Sequence, residues 1–374
     1  MKKILIFGED EVTDRIVKDI FNDVKNLSEY GIEGFIDVER RRNTFLGLPV
    51  FSLRDLKKLQ FDKIVIASRG NILLIHDMLA YGYGIGDDNV VSDSEYLIYI
   101  KIIGDFYAGR YDYIQDPEIE QTVRQIEAAD KFDTWCGYCP KPGEKYEVSW
   151  DDEFSFPYVM FEGKRMYLPR NYNFMAENGR QYAVGLESEQ QEGSPHTYIT
   201  DDIYIKEGDV VVDAGVCEGN FAIKYIDKVS KLYLIECDPV WIDPLTLTFR
   251  DYLGKIVFCQ KYLGNVDDEN TITLDSLVRD GRVDFIKMDI EGAEIDALNG
   301  AEKVFRNNNI RCSICSYHKH DDERHIRDIL RSYGYTTGTS HGHMIFPFDR
   351  EKFLWSELRH GIVYGKKEEV PESE

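Results

Sequence analysis

The run Val210-Val211-Val212-Asp213-Ala214-Gly215-Val216-Cys217-Glu218-Gly219-Asn220 limits the fold of this chain more than any other segment. Three consecutive valines read as a strand buried on both faces, and the glycines after it allow a tight turn into a helix. A strand that passes into a helix in this way opens a βα unit, and repeated units build a parallel sheet. The alternation continues. Further strand candidates cover 232–237, 256–260, 284–289 and 311–317, with amphipathic helices around 219–229, 240–253, 292–306 and 321–333. Two late β-like stretches, near 343–346 and 360–366, complete a seven-stranded doubly wound α/β sheet.

The 374 residues exceed what one such domain needs. Residues 3–8 form a first strand ending at Gly8, followed by a helix over 12–24, strands at 34–37 and 63–67, and a helix over 72–81. This predicts a smaller Rossmann-like α/β domain over residues 1–93. Residues 94–184 read as a connector with a helix over 117–131 and a hairpin, 157–161 and 165–168, turning at Glu162-Gly163-Lys164. The larger domain spans 185–366 and an acidic tail 367–374.

A glycine crossover alone serves nucleotides, flavins and S-adenosylmethionine alike, so charge must separate them. Asp213 and Glu218 stand where a dinucleotide would place its pyrophosphate. S-adenosylmethionine has no phosphate and carries an ammonium and a sulfonium, which acids favour. The next strand ends Ile235-Glu236-Cys237-Asp238, where a carboxylate can accept hydrogen bonds from a ribose diol. The cofactor set is therefore Asp213, Ala214, Gly215, Glu218, Gly219, Asn220, Glu236 and Asp238, the alternative being a tight turn with solvated acids. The whole chain agrees: 45 Lys+Arg against 68 Asp+Glu give a net charge of −23, which repels nucleic acid and anionic membrane surfaces.

Four segments resemble the FkbM-type methyltransferases: Val211-Val212-Asp213-Ala214-Gly215, Ile235-Glu236-Cys237-Asp238-Pro239, Ile272-Thr273-Leu274-Asp275-Ser276-Leu277 and Phe285-Ile286-Lys287-Met288-Asp289-Ile290-Glu291-Gly292-Ala293-Glu294. The resemblance covers roughly 185–366. It implies a class I S-adenosylmethionine-dependent fold, usually acting on a hydroxyl of a sugar or another natural product. Cys217 departs from the glycine that class I enzymes often place there.

Methyl transfer to a hydroxyl needs close in-line approach and a group to take the proton. Asp289, at the end of the fourth strand, and Glu291, opening the next helix, point toward the ligand crevice of such a sheet. His318, just past the fifth strand, titrates near neutrality as a free imidazole and suits a general base, or is a solvated loop residue. His196 precedes the first core strand and could fold over the acceptor, or lie on the surface. Glu294 either contacts the acceptor or complements its helix dipole. His196, Asp289, Glu291 and His318 would suit a divalent metal if they converged. Cys312 and Cys315, three apart on a strand, face opposite sides and read as core residues. Trp135-Cys136-Gly137-Tyr138-Cys139-Pro140 has redox-motif spacing without the strand such a motif follows, so a turn with reduced thiols is favoured.

In the N-terminal domain, Gly8-Glu9-Asp10-Glu11 replaces the glycines of a dinucleotide loop with acids, which disfavours NAD. Gly34-Phe35-Ile36-Asp37 followed by Phe45-Leu46-Gly47-Leu48-Pro49-Val50 resembles the small Rossmann-like domains that precede sugar-modifying enzymes, which implies Asp37 near a nucleoside and Arg40-Arg41-Arg42 for phosphates; a docking or dimerisation domain is the alternative. The expectation is an S-adenosylmethionine-dependent O-methyltransferase in the cytoplasm, with a small-molecule or glycan acceptor and neither nucleic acid nor membrane span. A homo-oligomer is compatible. The competing expectation is a non-catalytic sugar-nucleotide-binding or assembly subunit of glycan biosynthesis.

Overall fold

A computed structural model describes residues 2–8, 30–67, 72–92, 95–109, 116–129, 132–138, 147–170, 189–279, 281–346 and 357–367. The chain divides into two compact units, one of residues 1–137 with 345–358 and one of 138–344 with 359–374. The segment expected as a connector is shared between them.

In the larger unit a seven-stranded sheet contains β1 (Val210–Ala214), β2 (Lys231–Ile235), β3 (Ile256–Cys259), β4 (Phe285–Met288), β5 (Arg311–Cys315), β6 (Thr336–Thr339) and β7 (Ile362–Lys366). Their spatial order is β3-β2-β1-β4-β5-β7-β6. The first five run parallel, and β7 is antiparallel to both β5 and β6. Every residue of β1 and β4 is buried, as central strands covered on both faces require. The chain order reverses between β1 and β4, which puts the ligand crevice outside the carboxyl ends of those two strands.

Two expectations need correction here. The sixth strand is Thr336–Thr339, not 343–346; Met344 forms only an isolated bridge with Arg359. Thr-Thr-Gly-Thr is an edge strand with partly exposed residues, so it lacks the apolar alternation that marks a strand in sequence. The helix expected over 292–306 is two, Glu294–Asn299 and Glu302–Asn307. At the break a Cβ on Gly300 would lie 2.0 Å from the Gly264 carbonyl oxygen, so only glycine permits that approach. The hairpin forms, with Ser149–Asp151 as a third strand beside Phe156–Phe161 and Lys164–Tyr167. Glu162 and Gly163 both have positive φ, as a type I′ turn demands. Tyr167 N donates to Thr248 Oγ1 (2.9 Å) and ties this hairpin to the helix Pro239–Thr248.

The smaller unit has a six-stranded sheet in which Lys2–Phe7 pairs in parallel with Tyr30–Ile36 and Lys63–Ile66. The helix expected over 12–24 lies outside the described residues. That over 72–81 appears as Ile72–Asp77 running into the wider turn Met78–Gly82. The helix Tyr96–Tyr107 escaped sequence reading because ten of its twelve residues are buried, which erases a one-sided pattern. Asp37 does not present a free carboxylate to a nucleoside: it accepts from its own loop, from Arg41 N at 2.9 Å and Glu39 N at 3.3 Å. Among the described residues, no helix is long and apolar enough to cross a membrane.

Candidate active site

The loop after β1 is shaped by two glycines in left-handed conformation. Gly215 has φ +76, and a Cβ there would sit 1.6 Å from the Asp289 carbonyl oxygen. Asp289 N in turn donates to Ala214 O (3.0 Å), so the ends of β1 and β4 are stitched together at the switch point. Gly219 has φ +84, and a Cβ there would press on the side chains of Leu245 and Phe249 (3.0 Å each). It precedes the helix Asn220–Tyr225. Gly215→Ala is expected to lower the melting temperature and weaken S-adenosylhomocysteine binding together. The left-handed backbone alone costs an L-residue about 1–2 kcal/mol, and the clash with Asp289 adds to it. An unchanged melting curve and unchanged calorimetric affinity would refute this account of the loop.

The acids around this loop do different jobs. Asp213 is fully buried and stands opposite Lys287 in the β1–β4 ladder, with Oδ1 3.1 Å from Lys287 Nζ. Lys287 also donates to the Gly215 carbonyl oxygen. Burial pushes the Asp213 carboxyl up, against the pull of Lys287. Burial would lower Lys287, but Asp213 and then Asp289 carry it above its ordinary value. Asp213, expected as a direct cofactor ligand, is therefore the counter-ion beneath the loop. Glu236 accepts from Cys217 N and from Asp238 N (2.8 Å each), tying the β1 and β2 loops together. Cys217 thus fits the loop with φ +50. Asp238, the exposed acid of the cofactor set, spends a carboxylate oxygen capping the helix Pro239–Thr248 through Val240 N (2.9 Å). Ala214 and Glu218 are buried at the same edge.

A second cluster gathers around Asp289. Its Oδ2 accepts from Tyr198 Oη (2.7 Å) and lies 3.5 Å from His196 Nε2. Its Oδ1 lies 3.4 Å from Tyr317 Oη and 3.5 Å from His318 Nε2. His318 Nε2 is also 3.5 Å from Glu291 Oε2, and its Nδ1 is 3.2 Å from Glu294 Oε1. Gln190 Nε2 lies 3.3 Å from His196 Nδ1. His196 and His318 are both buried, so neither is a solvated loop histidine. Glu294 is 1% exposed and accepts from Ile290 N (2.9 Å), so it belongs to the cluster and not to the helix surface. Glu291 is largely exposed, with φ +55 holding it at the mouth.

The ionisation pattern follows from these neighbours. Burial pushes Asp289 up, but His196, Lys287 and His318 hold it well below the usual carboxylate range. Burial would lower His318, yet Glu294, Asp289 and Glu291 raise it to about 9. The expectation of a general base titrating near neutrality therefore fails for His318. Glu189 was overlooked in the sequence. Burial lifts its carboxyl to about 7; His196 and Lys287 pull it down, while Glu218 and Asp289 push it further up.

Sequence reading also missed Lys287 and Tyr198. Lys287 had a readable signal, since a lysine inside Phe285-Ile286-Lys287-Met288 needs a buried partner, and Asp213 is the matching charge in β1. Tyr198 had none. Cys312 packs in the core as expected, whereas Cys315 lies 3.6 Å from His196 Nε2 and lines the cluster. Cys136 is buried, and Cys139 lies outside the described residues. Two donor groups share Asp289: His196–Asp289–Cys315 and Asp289–Glu294–His318, each with ligand atoms within 4.8 Å of one another. The four residues expected to converge, His196, Asp289, Glu291 and His318, do not form one such group among the described residues; the two groups meet only at Asp289.

This sheet order, with a glycine crossover and acids at its switch point, is the architecture of a class I methyltransferase. Residues 248–337 match the family model of the methyltransferase FkbM domain, and residues 1–91 match that of the C2185-like N-terminal domain. The FkbM match falls within the larger unit, across β3 to β6. Among solved structures, methyltransferase FkbM from Methylobacillus flagellatus KT is 17% identical, with 97% of this chain and 90% of that one covered and a TM-score of 0.42. Magnesium protoporphyrin IX methyltransferase (ChlM) from Synechocystis PCC 6803, solved with bound SAM, is 15% identical, covering 43% and 71%, with a TM-score of 0.30. No curated protein matches the chain.

Proposed function

We propose that this methyltransferase uses S-adenosylmethionine to methylate a hydroxyl of a sugar or glycoconjugate. The observation that carries the reading is the meeting of the glycine crossover with the Asp289 cluster at one sheet edge, through Gly215 and Asp289. The residues present suit the cofactor. Gly215 and Gly219 give the crossover loop its left-handed, close-packed backbone, and Asp213, Glu218 and Glu236 are buried around it beside Lys287. That surplus of acid favours a cationic ligand without phosphate. Bound S-adenosylmethionine would supply an electrophilic methyl group. Glu236 offers its remaining lone pairs to the ribose, and Glu218 stands at the turn for a cationic group. Asp289, anionic and fixed by Tyr198 and His196, orients the acceptor hydroxyl, with Glu291 at the entrance. Glu189, with its carboxyl near 7, is matched to take the proton at neutral pH.

The test combines calorimetry with S-adenosylhomocysteine and transfer of labelled methyl from S-adenosylmethionine to a panel of saccharides and glycoconjugates. The expected product is an alkali-stable methyl ether. Failure to bind S-adenosylhomocysteine sinks the reading. Binding without transfer to any acceptor favours the non-catalytic assembly subunit instead, and an alkali-labile product would point to a carboxyl acceptor.

A further inference from the structure

We propose that Asp289, Glu294 and His318, with Glu291 at the mouth, form a binding site for one divalent manganese-type ion. His318 Nε2 stands 3.5 Å from both Asp289 Oδ1 and Glu291 Oε2. Charge-assisted N–H···O bonds are shorter, about 2.7–2.9 Å. Two donors on one ion, each about 2.0–2.2 Å from it, stand roughly 3–3.5 Å apart. On its other face His318 Nδ1 lies 3.2 Å from Glu294 Oε1. A carboxylate against the second ring nitrogen is how metal-binding imidazoles are oriented and made more basic.

A second observation is independent of those distances. Glu294 is 1% exposed, and its Oε2 has no hydrogen-bond partner although Oε1 takes Ile290 N. A buried carboxylate oxygen without a donor calls for an explanation, and an ion shared by Asp289, Glu294 and His318, whose ligand atoms lie within 4.8 Å of one another, supplies one. The donor chemistry selects the ion. One imidazole among carboxylate oxygens departs from the all-oxygen sets of calcium and magnesium, and offers fewer nitrogen and sulfur donors than the sites zinc prefers. The neighbouring group, His196–Asp289–Cys315, is the poorer host, because Tyr198 already occupies Asp289 Oδ2 at 2.7 Å. An ion at His318 would stand at the carboxyl edges of β4 and β5, where the acceptor oxygen must come. That last consequence rests on the methyltransferase reading, whereas the site itself does not.

The experiment titrates MnCl2 into the full chain, freed of metal with a chelator, and follows the free-ion signal by electron paramagnetic resonance. One ion per chain is expected. Glu294→Gln and His318→Gln should each weaken it by about 10–100-fold, the range found for groups around bound metals, while Cys315→Ala leaves it unchanged. If Glu294→Gln does not fold, His318→Gln carries the test. Wild-type chain that binds no Mn2+, or both variants binding as wild type does, would overturn the proposal, as would loss on Cys315→Ala alone. S-adenosylhomocysteine is titrated into the same samples. Its binding without Mn2+ binding discards the metal site and leaves the methyltransferase reading intact.

Discussion

Asp289→Asn should lower methyl-transfer turnover by about 10²-fold, the order of loss when a reacting group is mispositioned. Affinity for S-adenosylhomocysteine should stay within about threefold, well under 1.4 kcal/mol. The asymmetry follows from where the side chain points. Its backbone N–H holds the β1 loop through Ala214 O and is untouched by the substitution. Its carboxylate instead faces Tyr198, His196, Tyr317 and His318. An amide keeps the shape and removes the charge that fixes both imidazoles. Steady-state turnover with a competent acceptor and calorimetry with S-adenosylhomocysteine read the two effects separately. Equal losses of both would mean that Asp289 holds the cofactor and has no distinct part in acceptor chemistry.

Lys287→Met should destabilise the larger unit by about 3–5 kcal/mol, the cost of leaving one member of a buried ion pair uncompensated. Asp213 is 0% exposed and Lys287 4%, so water cannot replace the lost partner. The double variant Asp213→Leu/Lys287→Met should recover most of that stability, because two apolar residues of similar volume remove both desolvation penalties. It should not recover S-adenosylhomocysteine binding, since Lys287 also holds the Gly215 carbonyl oxygen and so the loop itself. Urea unfolding of the wild type and the two variants, with calorimetry on the folded ones, checks this. A single variant within about 1 kcal/mol of wild type would show that the pair is dispensable to the fold.

Much of the fold was open to reading because its signals are local. Val210-Val211-Val212 and Phe285-Ile286 announce buried strands, and Gly215 and Gly219 announce the turn, since these demands are met within a few residues. Thr336–Thr339 gave no such signal, because an edge strand is stabilised by its neighbour β7 more than by its own side chains. Tyr96–Tyr107 hid for the opposite reason, being buried all round. Among site residues, the acids at strand ends were visible as types at positions, but their roles were not. Asp213 and Asp238 looked alike as cofactor acids; one pairs with Lys287 and the other caps a helix.

The sequence by itself determined that an α/β sheet forms, where its crossover lies, and that the crossover is rich in acids. Strand propensity, glycine conformation and formal charge are properties of short segments, so composition and spacing express them. Only the tertiary structure decided that His196, Asp289, Glu294 and His318 share one buried cluster and that Asp289 serves two histidines at once. Their ionisation was settled there too. These side chains come from segments up to 122 residues apart, from His196 to His318. Parallel pairing of β1, β4 and β5 brings the strand ends to one edge, and burial then makes each charge depend on its neighbours more than on itself.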